Sequence, residues 1–176
     1  MTDDKLHWYV AYVKSCQEKQ VAQALERLGY EYYLPIQKVR RKWSDRIKVV
    51  DKLVIPRVIF IHTTFQDRIR PLEEIYGMYK YITTGGPHTP AVVPDREMDV
   101  FMRMVSGSGR EVTMVQEWLV PGDLVKVVDG PFKGMEVELV AVEGTQKVVA
   151  RLGMLGAATV ELERDTVKKI QQDENK

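Results

Sequence analysis

The run Gly122-Asp123-Leu124-Val125-Lys126-Val127-Val128-Asp129-Gly130-Pro131-Phe132-Lys133-Gly134-Met135-Glu136-Val137-Glu138-Leu139-Val140 is written as two short strands about a tight turn. Val125 and Val127 alternate with Leu124, Lys126 and Val128, the period of a strand with one buried face. Asp129-Gly130-Pro131 breaks the run, because Gly admits positive φ and Pro fixes φ while removing a donor. Phe132 follows the break, where a loop tip can present a side chain. Gly134 restarts the strand, and Val137, Leu139 and Val140 continue it. The residues describe a hairpin in a small β-barrel. Gly130 to Gly134 is not a phosphate-binding loop, since its spacing and the residues after it are wrong for one.

The chain around this hairpin has 176 residues, enough for one medium and one small domain. Its apolar content is that of a protein with a buried core. No apolar run approaches the roughly 20 residues of a membrane span. Met1-Thr2-Asp3-Asp4-Lys5 lacks the basic start and apolar middle of a secretory signal. Cys16 is the only cysteine, so no internal disulfide can form, and a cytoplasmic location is expected. His7, His62 and His88 are scattered without metal-ligand spacing, and no cofactor is expected. The net charge of +1 hides an asymmetry: residues 1–110 hold 18 Lys and Arg against 13 Asp and Glu, and residues 111–176 hold 8 against 12. The two halves are therefore suited to different partners.

His7 to Val13 is aromatic and β-branched, a strand. Ser15-Cys16-Gln17-Glu18 has the spacing of a capping box, in which Ser15 and Glu18 would satisfy each other's backbone amides. Val21, Ala22, Leu25 and Leu28 follow at helical spacing, and Gly29 suits the position just past the helix end. Tyr30 to Pro35 returns as a strand. Gln37 to Lys52 is the most basic segment, with Lys38, Arg40, Arg41, Lys42, Arg46, Lys48 and Lys52 against Asp45 and Asp51. It reads as a long hairpin with its tip near Trp43 to Arg46. Leu53 to His62 is apolar apart from Pro56, Arg57 and the terminal His62, as a central strand packed on both faces would be. A helix spans Gln66 to Tyr76, beginning near Pro71. Tyr79 to Ile82 is a short strand, Gly85 to Pro90 a turn, and Pro94 opens a helix with Val100, Phe101, Met104 and Val105 as its apolar stripe. Ser106-Gly107-Ser108-Gly109-Arg110 has linker composition. It separates a β-α-β-β-β-α-β-α unit from the barrel. Lys147 to Leu152 and Ala158 to Leu162 supply later strands, Gly153 to Gly156 a turn. Val167 and Ile170 close the barrel, and residues 171–176 form a polar tail.

Val125 to Gly134 resembles the KOW motif of NusG-type transcription factors and some ribosomal proteins, with Val137 where that family often has a further glycine. The first half adds to the likeness. Trp8-Tyr9 begins it, Leu34-Pro35 ends the second strand, and Ile55-Pro56-Arg57-Val58-Ile59-Phe60-Ile61 stands where the family has a proline-glycine-tyrosine-valine-phenylalanine-valine strand. The chain is similar to a NusG-type factor over about residues 6–170. The resemblance implies an α+β protein. Residues 6–105 form an antiparallel sheet flanked by helices (NGN-like), 106–119 a linker, and 120–170 an SH3-like KOW barrel. Arg57 replaces the usual glycine, Val58 the usual tyrosine, and the basic hairpin is long. Those departures resemble the RfaH-like and UpxY-like antitermination branches.

The resemblance also implies a monomeric, non-enzymatic elongation or antitermination factor. Its N-terminal domain would bind the clamp of RNA polymerase, and its KOW domain would recruit a small-subunit ribosomal protein or Rho. Tyr9, Tyr33, Leu34, Ile55, Pro56, Val58 and Phe60 map onto the polymerase-facing surface; ordinary core packing is the competing reading. Lys38, Arg40, Arg41, Lys42, Trp43, Arg46 and Lys48 have the residue types for the non-template DNA strand, with cations for phosphate and Trp43 for stacking on a base. The competing reading is a charged edge that blocks aggregation. Phe132, Met154 and Leu155 lie on barrel turns and map onto the KOW partner surface; otherwise they plug the barrel. Ala157 stands where many members have an arginine after the loop glycine. The alternative function is a ribosome-associated or RNA-binding KOW protein. The acidic second half argues against it, since an RNA-binding barrel should be basic.

Overall fold

The computed structural model describes residues 5–116, 119–142 and 144–162, and the backbone of 167–169. The chain divides into two compact units, Met1–Met98 and Asp99–Lys176.

The first unit is built on an antiparallel sheet in the order β2-β5-β1-β6, with β7 also pairing β1. Its strands are β1 (His7–Val13), β2 (Glu31–Tyr33), β5 (Val58–Thr63), β6 (Met78–Tyr81) and β7 (Val92–Val93). The arm β3 (Ile36–Lys42) and β4 (Ile47–Leu53) forms a separate two-stranded sheet. Helices α1 (Glu18–Arg27) and α2 (Ile69–Glu74) belong to this unit, and α3 (Asp95–Gly107) runs across the division. The most apolar strand takes the interior place: β5 lies between β2 and β1, with only His62 partly exposed. Register sets its faces. Tyr9 opposes Ile61 and Ala11 opposes Ile59, while Val10 opposes Phe60 and Tyr12 opposes Val58. The first set joins Val21, Ala22 and Leu25 of α1 in one apolar cluster. Period-2 alternation sends Val58 and Phe60 to the opposite face.

Three local expectations are corrected. The capping box does not form: Gln17 precedes α1, no side chain caps it, and Cys16 takes a positive φ of 64°. The buried Glu18 carboxylate instead accepts the Arg57 backbone N–H at 3.1 Å. The helix does end as expected. Gly29 at φ 81° lets its N–H reach the Glu26 carbonyl and that of Tyr30 the Leu25 carbonyl, both 3.0 Å, a Schellman motif. Leu53 to His62 is not one strand. β4 ends at Leu53, and a turn through Val54 to Arg57 precedes β5. Pro56 lacks a donor and Arg57 sits at φ 62°, so neither continues a ladder. The serine-glycine stretch is not wholly loop either. α3 continues to Gly107, and Ser106 and Ser108 hydroxyls donate to the Met102 and Met104 carbonyls. α2 starts at Ile69, two residues before Pro71, which sits in the first turn where its missing N–H costs nothing.

The second unit is an antiparallel sheet in the order β13-β9-β10-β11-β12-β8. Its strands are β8 (Thr113–Val115), β9 (Asp123–Val127), β10 (Glu136–Val142), β11 (Thr145–Arg151), β12 (Ala157–Glu161) and β13 (Val167–Lys169). β8 falls within the stretch read as linker and pairs with β12. Val125 and Val127 are buried while Leu124 and Val128 are exposed, the alternation read from sequence. The turn closes through Gly134 N–H to Val127 O at 2.9 Å, with Gly130 and Gly134 both at positive φ. Gly122 is required by space: a Cβ there would lie 1.8 Å from the Leu139 carbonyl oxygen. Its N–H donates to Glu138 at 2.8 Å, and Glu138 holds Arg151 through two hydrogen bonds of 2.7 and 2.9 Å. The expected closure at Val167 is met by the backbone of β13 pairing β9. Ile170 and the tail 171–176 lie outside the described residues.

Candidate functional site

The seven residues mapped to a polymerase-facing surface do not form one surface. Tyr9 lies in the cluster beneath α1, and Leu34 packs against that same cluster. Val58 and Phe60 are on the other face of the sheet and are 2% and 0% exposed. Tyr33 opposes Phe60 across the β2–β5 ladder, their ring centroids 6.3 Å apart. Burial pushes the Tyr33 phenol well above its usual range, so it stays neutral. Ile55 is buried in the turn before β5 and Pro56 is exposed beside it. Pro56 is thus open to a partner, and Tyr33 and Leu34 are half-buried. The last two line one wall of a shallow groove of about 440 Å³ between α1 and β2.

The basic arm is where the sequence placed it. Its ladder runs from Ile36 opposite Leu53 to Lys42 opposite Ile47, and Trp43 N–H closes the tip on the Arg46 carbonyl at 2.8 Å. Alternation divides the seven candidates between two faces. Lys38, Arg40 and Lys42 share the face that carries Ile47, Val49 and Asp51. Arg41 and Lys48 oppose each other on the other face. Trp43 and Arg46 continue that face at the tip, where the Lys48 ammonium stands 5.6 Å from the exposed Trp43 ring. Toward the arm's base the Arg41 face is covered, with Gln37 and Val39 both buried.

Of the barrel residues only Met154 is presented to solvent, 64% exposed on a 3-10 turn over Gly153–Leu155. Phe132 is 1% exposed and Leu155 is buried beside Met154. Phe132 turns inward because Lys133 N–H bonds the Gly130 carbonyl and Met135 N–H the Phe132 carbonyl, which folds the turn back on itself.

Sequence reasoning missed two features. The first is Arg57, a left-handed residue whose guanidinium reaches the Tyr79 hydroxyl at 3.2 Å. The glycine usual at this place in the family was the available signal. The second is the exposed pair Ile47 and Val49, to which the sequence reading gave no role. Among the described residues no cluster of His, Cys, Asp and Glu could hold a metal, and no helix is long and apolar enough to cross a membrane.

Comparison with known proteins places these features in a lineage. The family described as transcription termination factor nusG matches residues 6–102, and the KOW motif matches residues 121–152. The transcription termination/antitermination protein NusG of Pseudomonas aeruginosa is 27% identical over 175 residues, covering 93% of this chain and 98% of that protein. Its namesake in Yersinia pestis is 28% identical over 184 residues, covering 94% and 97%. A solved structure of Thermotoga maritima NusG, determined for its domain interaction, covers 95% of this chain and 98% of its own at 22% identity and a TM-score of 0.48. The nusG match extends over more than half of the chain, from the strand at Trp8 through most of α3, and the KOW match holds the hairpin of β9 and β10. The chain belongs to the NusG family of transcription termination and antitermination factors, which act by binding and not by catalysis.

Proposed function

We propose that this chain is an elongation or antitermination factor that holds the clamp of RNA polymerase with its N-terminal domain and recruits a protein through its KOW domain. The observation that carries this reading is the order of the two matches, nusG at 6–102 followed by KOW at 121–152, in one chain. The proposed domains are 6–105 and 120–170 with 106–119 between them, a stretch that also holds the end of α3 and the strand β8 of the second sheet. Differential affinity for the closed, elongating clamp is sufficient for activity; no bond is made or broken. Tyr33, Leu34 and Pro56 supply the contact surface; Val58 and Phe60 on one face of the sheet, Tyr9 on the other and Ile55 in the turn before β5 are buried and hold the strands that carry it. The basic arm lies against the non-template DNA strand. Arg57, Val58 and the length of that arm favour a specialised paralogue of the RfaH-like or UpxY-like kind.

The KOW partner is a protein. Residues 111–176 carry 8 Lys and Arg against 12 Asp and Glu, a balance that repels nucleic acid. Met154 is the outward contact, with the buried Leu155 next to it in the same turn and Phe132 buried at the β9–β10 turn. Ala157 in place of an arginine favours a small-subunit ribosomal protein over Rho. The test is retention of the full chain on immobilised RNA polymerase. Tyr33→Asp with Pro56→Asp is expected to lose at least about tenfold in affinity, as two desolvated contacts would, with an unchanged far-ultraviolet circular dichroism spectrum. A folded double variant that is retained as well as the unmodified chain removes the contact surface from this reading. Failure of the unmodified chain to be retained removes the function.

A further inference from the structure

The two faces of the basic arm are chemically different, and the difference points to a ligand. On the face of Lys38, Arg40 and Lys42, the opposing strand offers Asp51, Val49 and Ile47 in register. Ile47 is 68% and Val49 60% exposed, while Val39 on the other face of the same arm is 6% exposed. Two β-branched residues are thus held outward on a ribbon whose remaining outward positions near the tip are cationic. Edge protection accounts for the charges but not for these two. The one carboxylate on this face is engaged elsewhere: Asp51 accepts from Lys19 of α1 at 3.3 Å. Among the described residues, Lys38, Arg40 and Lys42 make no ion pair.

We infer that this face is a track for an unpaired DNA strand, with phosphates along Lys38, Arg40 and Lys42 and base faces against Ile47 and Val49. The inference rests on the proposed placement of the arm at nucleic acid and specifies which of its faces does the work. Alternate residues of a strand are about 7 Å apart, so the cations form an evenly spaced rail that a stretched backbone can follow. The apolar rail runs beside it at cross-strand distance. A positive groove combined with side chains that cover base faces is the general solution for single strands; aromatic rings do this by stacking, and exposed aliphatic residues do it by burying apolar area. A duplex hides those faces and would use only the cations. The face carries no neutral hydroxyl or amide, so nothing on it is shaped to select a 2′-hydroxyl. Trp43 lies with Arg41 and Lys48 on the other face and is outside the track.

Fluorescence anisotropy of the full chain with a short mixed-sequence DNA strand tests this. Its comparators are the same backbone with abasic sites, the DNA duplex, and the RNA strand of the same sequence. The intact DNA strand should bind more tightly than the abasic strand and the duplex, and no more weakly than the RNA strand. Ile47→Thr with Val49→Thr keeps the strand propensity of the arm and should weaken the intact strand about fivefold, leaving the abasic strand unchanged. Lys38→Gln, Arg40→Gln and Lys42→Gln together should weaken both and lower the salt slope by about 2. Equal binding of intact and abasic strands by the unmodified protein overturns the apolar rail, and no variant is needed to see it. Tighter binding of the RNA strand overturns the assignment to DNA. If the triple glutamine variant binds as well as the unmodified chain, the arm is not at nucleic acid and the broader reading fails with it.

Discussion

Arg57 shows how one residue can report a constraint that its own type conceals. Its φ of 62° places a Cβ-bearing side chain in the left-handed region, which costs about 1–2 kcal/mol relative to glycine. Two hydrogen bonds fix it there. Its N–H donates to buried Glu18 and its carbonyl accepts from Val13 at 2.9 Å. Both use the backbone, so both survive a change of side chain. Arg57→Gly should therefore stabilise the protein by about 0.5–1 kcal/mol, the relief of φ strain less the added freedom of the unfolded chain. The exposed hydrogen bond to Tyr79 subtracts little. A urea midpoint that does not rise, or falls, would sink the strain argument. The same site marks a limit of sequence reading. Ser15 and Glu18 have capping spacing, yet Glu18 serves a residue 39 positions away, and local spacing carries no record of so distant a donor. Gly29 was readable because its requirement is local: a helix end needs a left-handed residue in the next position whatever the rest of the chain does.

The arm of β3 and β4 was readable as an element and not as two faces. Charge density and a turn-like tip gave its limits to within a residue, since hairpin register follows from loop length. What alternation could not give is which face the body of the unit covers. Val39 and Val49 look alike in sequence; one is buried and the other is 60% exposed. The same gap separated Tyr9 from Val58 and Phe60 in the expected polymerase surface, because adjacent strands align by register and not by motif. Since the arm makes its own two-stranded sheet and adds no ladder to β2-β5-β1-β6, its outer half should be dispensable for folding. Replacing residues 41–48 by Asn-Gly, with Arg40 and Val49 kept, retains the covered base at Gln37 and Val39. Thermal unfolding should shift by no more than about 3 °C, as for surface changes, and retention on RNA polymerase should persist while DNA binding is lost. A large fall in the unfolding temperature would make the arm structural.

At the scale of the whole chain, order and the closing strand at Val167 were readable and the pairing of β8 was not. Strand, helix and turn signals gave most of the succession from β1 to α3, short by one of the four strands between α1 and α2 and by β7, and then the barrel hairpin, because each depends on a few neighbouring residues. β8 was passed over because it is three residues long, follows the serine-glycine stretch and becomes a strand by pairing with β12, more than forty residues later. Net charge was hidden too: +1 for the chain is the sum of a basic and an acidic half. That separation makes a prediction no single site makes. Nucleic acid should be held only where positive charge is concentrated, so ultraviolet crosslinking of a photoreactive DNA strand to the full chain should label peptides from 36–53 and leave those from 123–162 unlabelled. Repulsion by the acidic half works in the same direction, and raising salt should weaken the labelling without moving it. The rival reading, a KOW barrel placed directly on RNA, requires the opposite. If an RNA strand of the same sequence labels the loops at Gly130–Gly134 or Gly153–Gly156 in preference to the arm, the division of labour argued from charge is reversed, and the barrel becomes the nucleic-acid module.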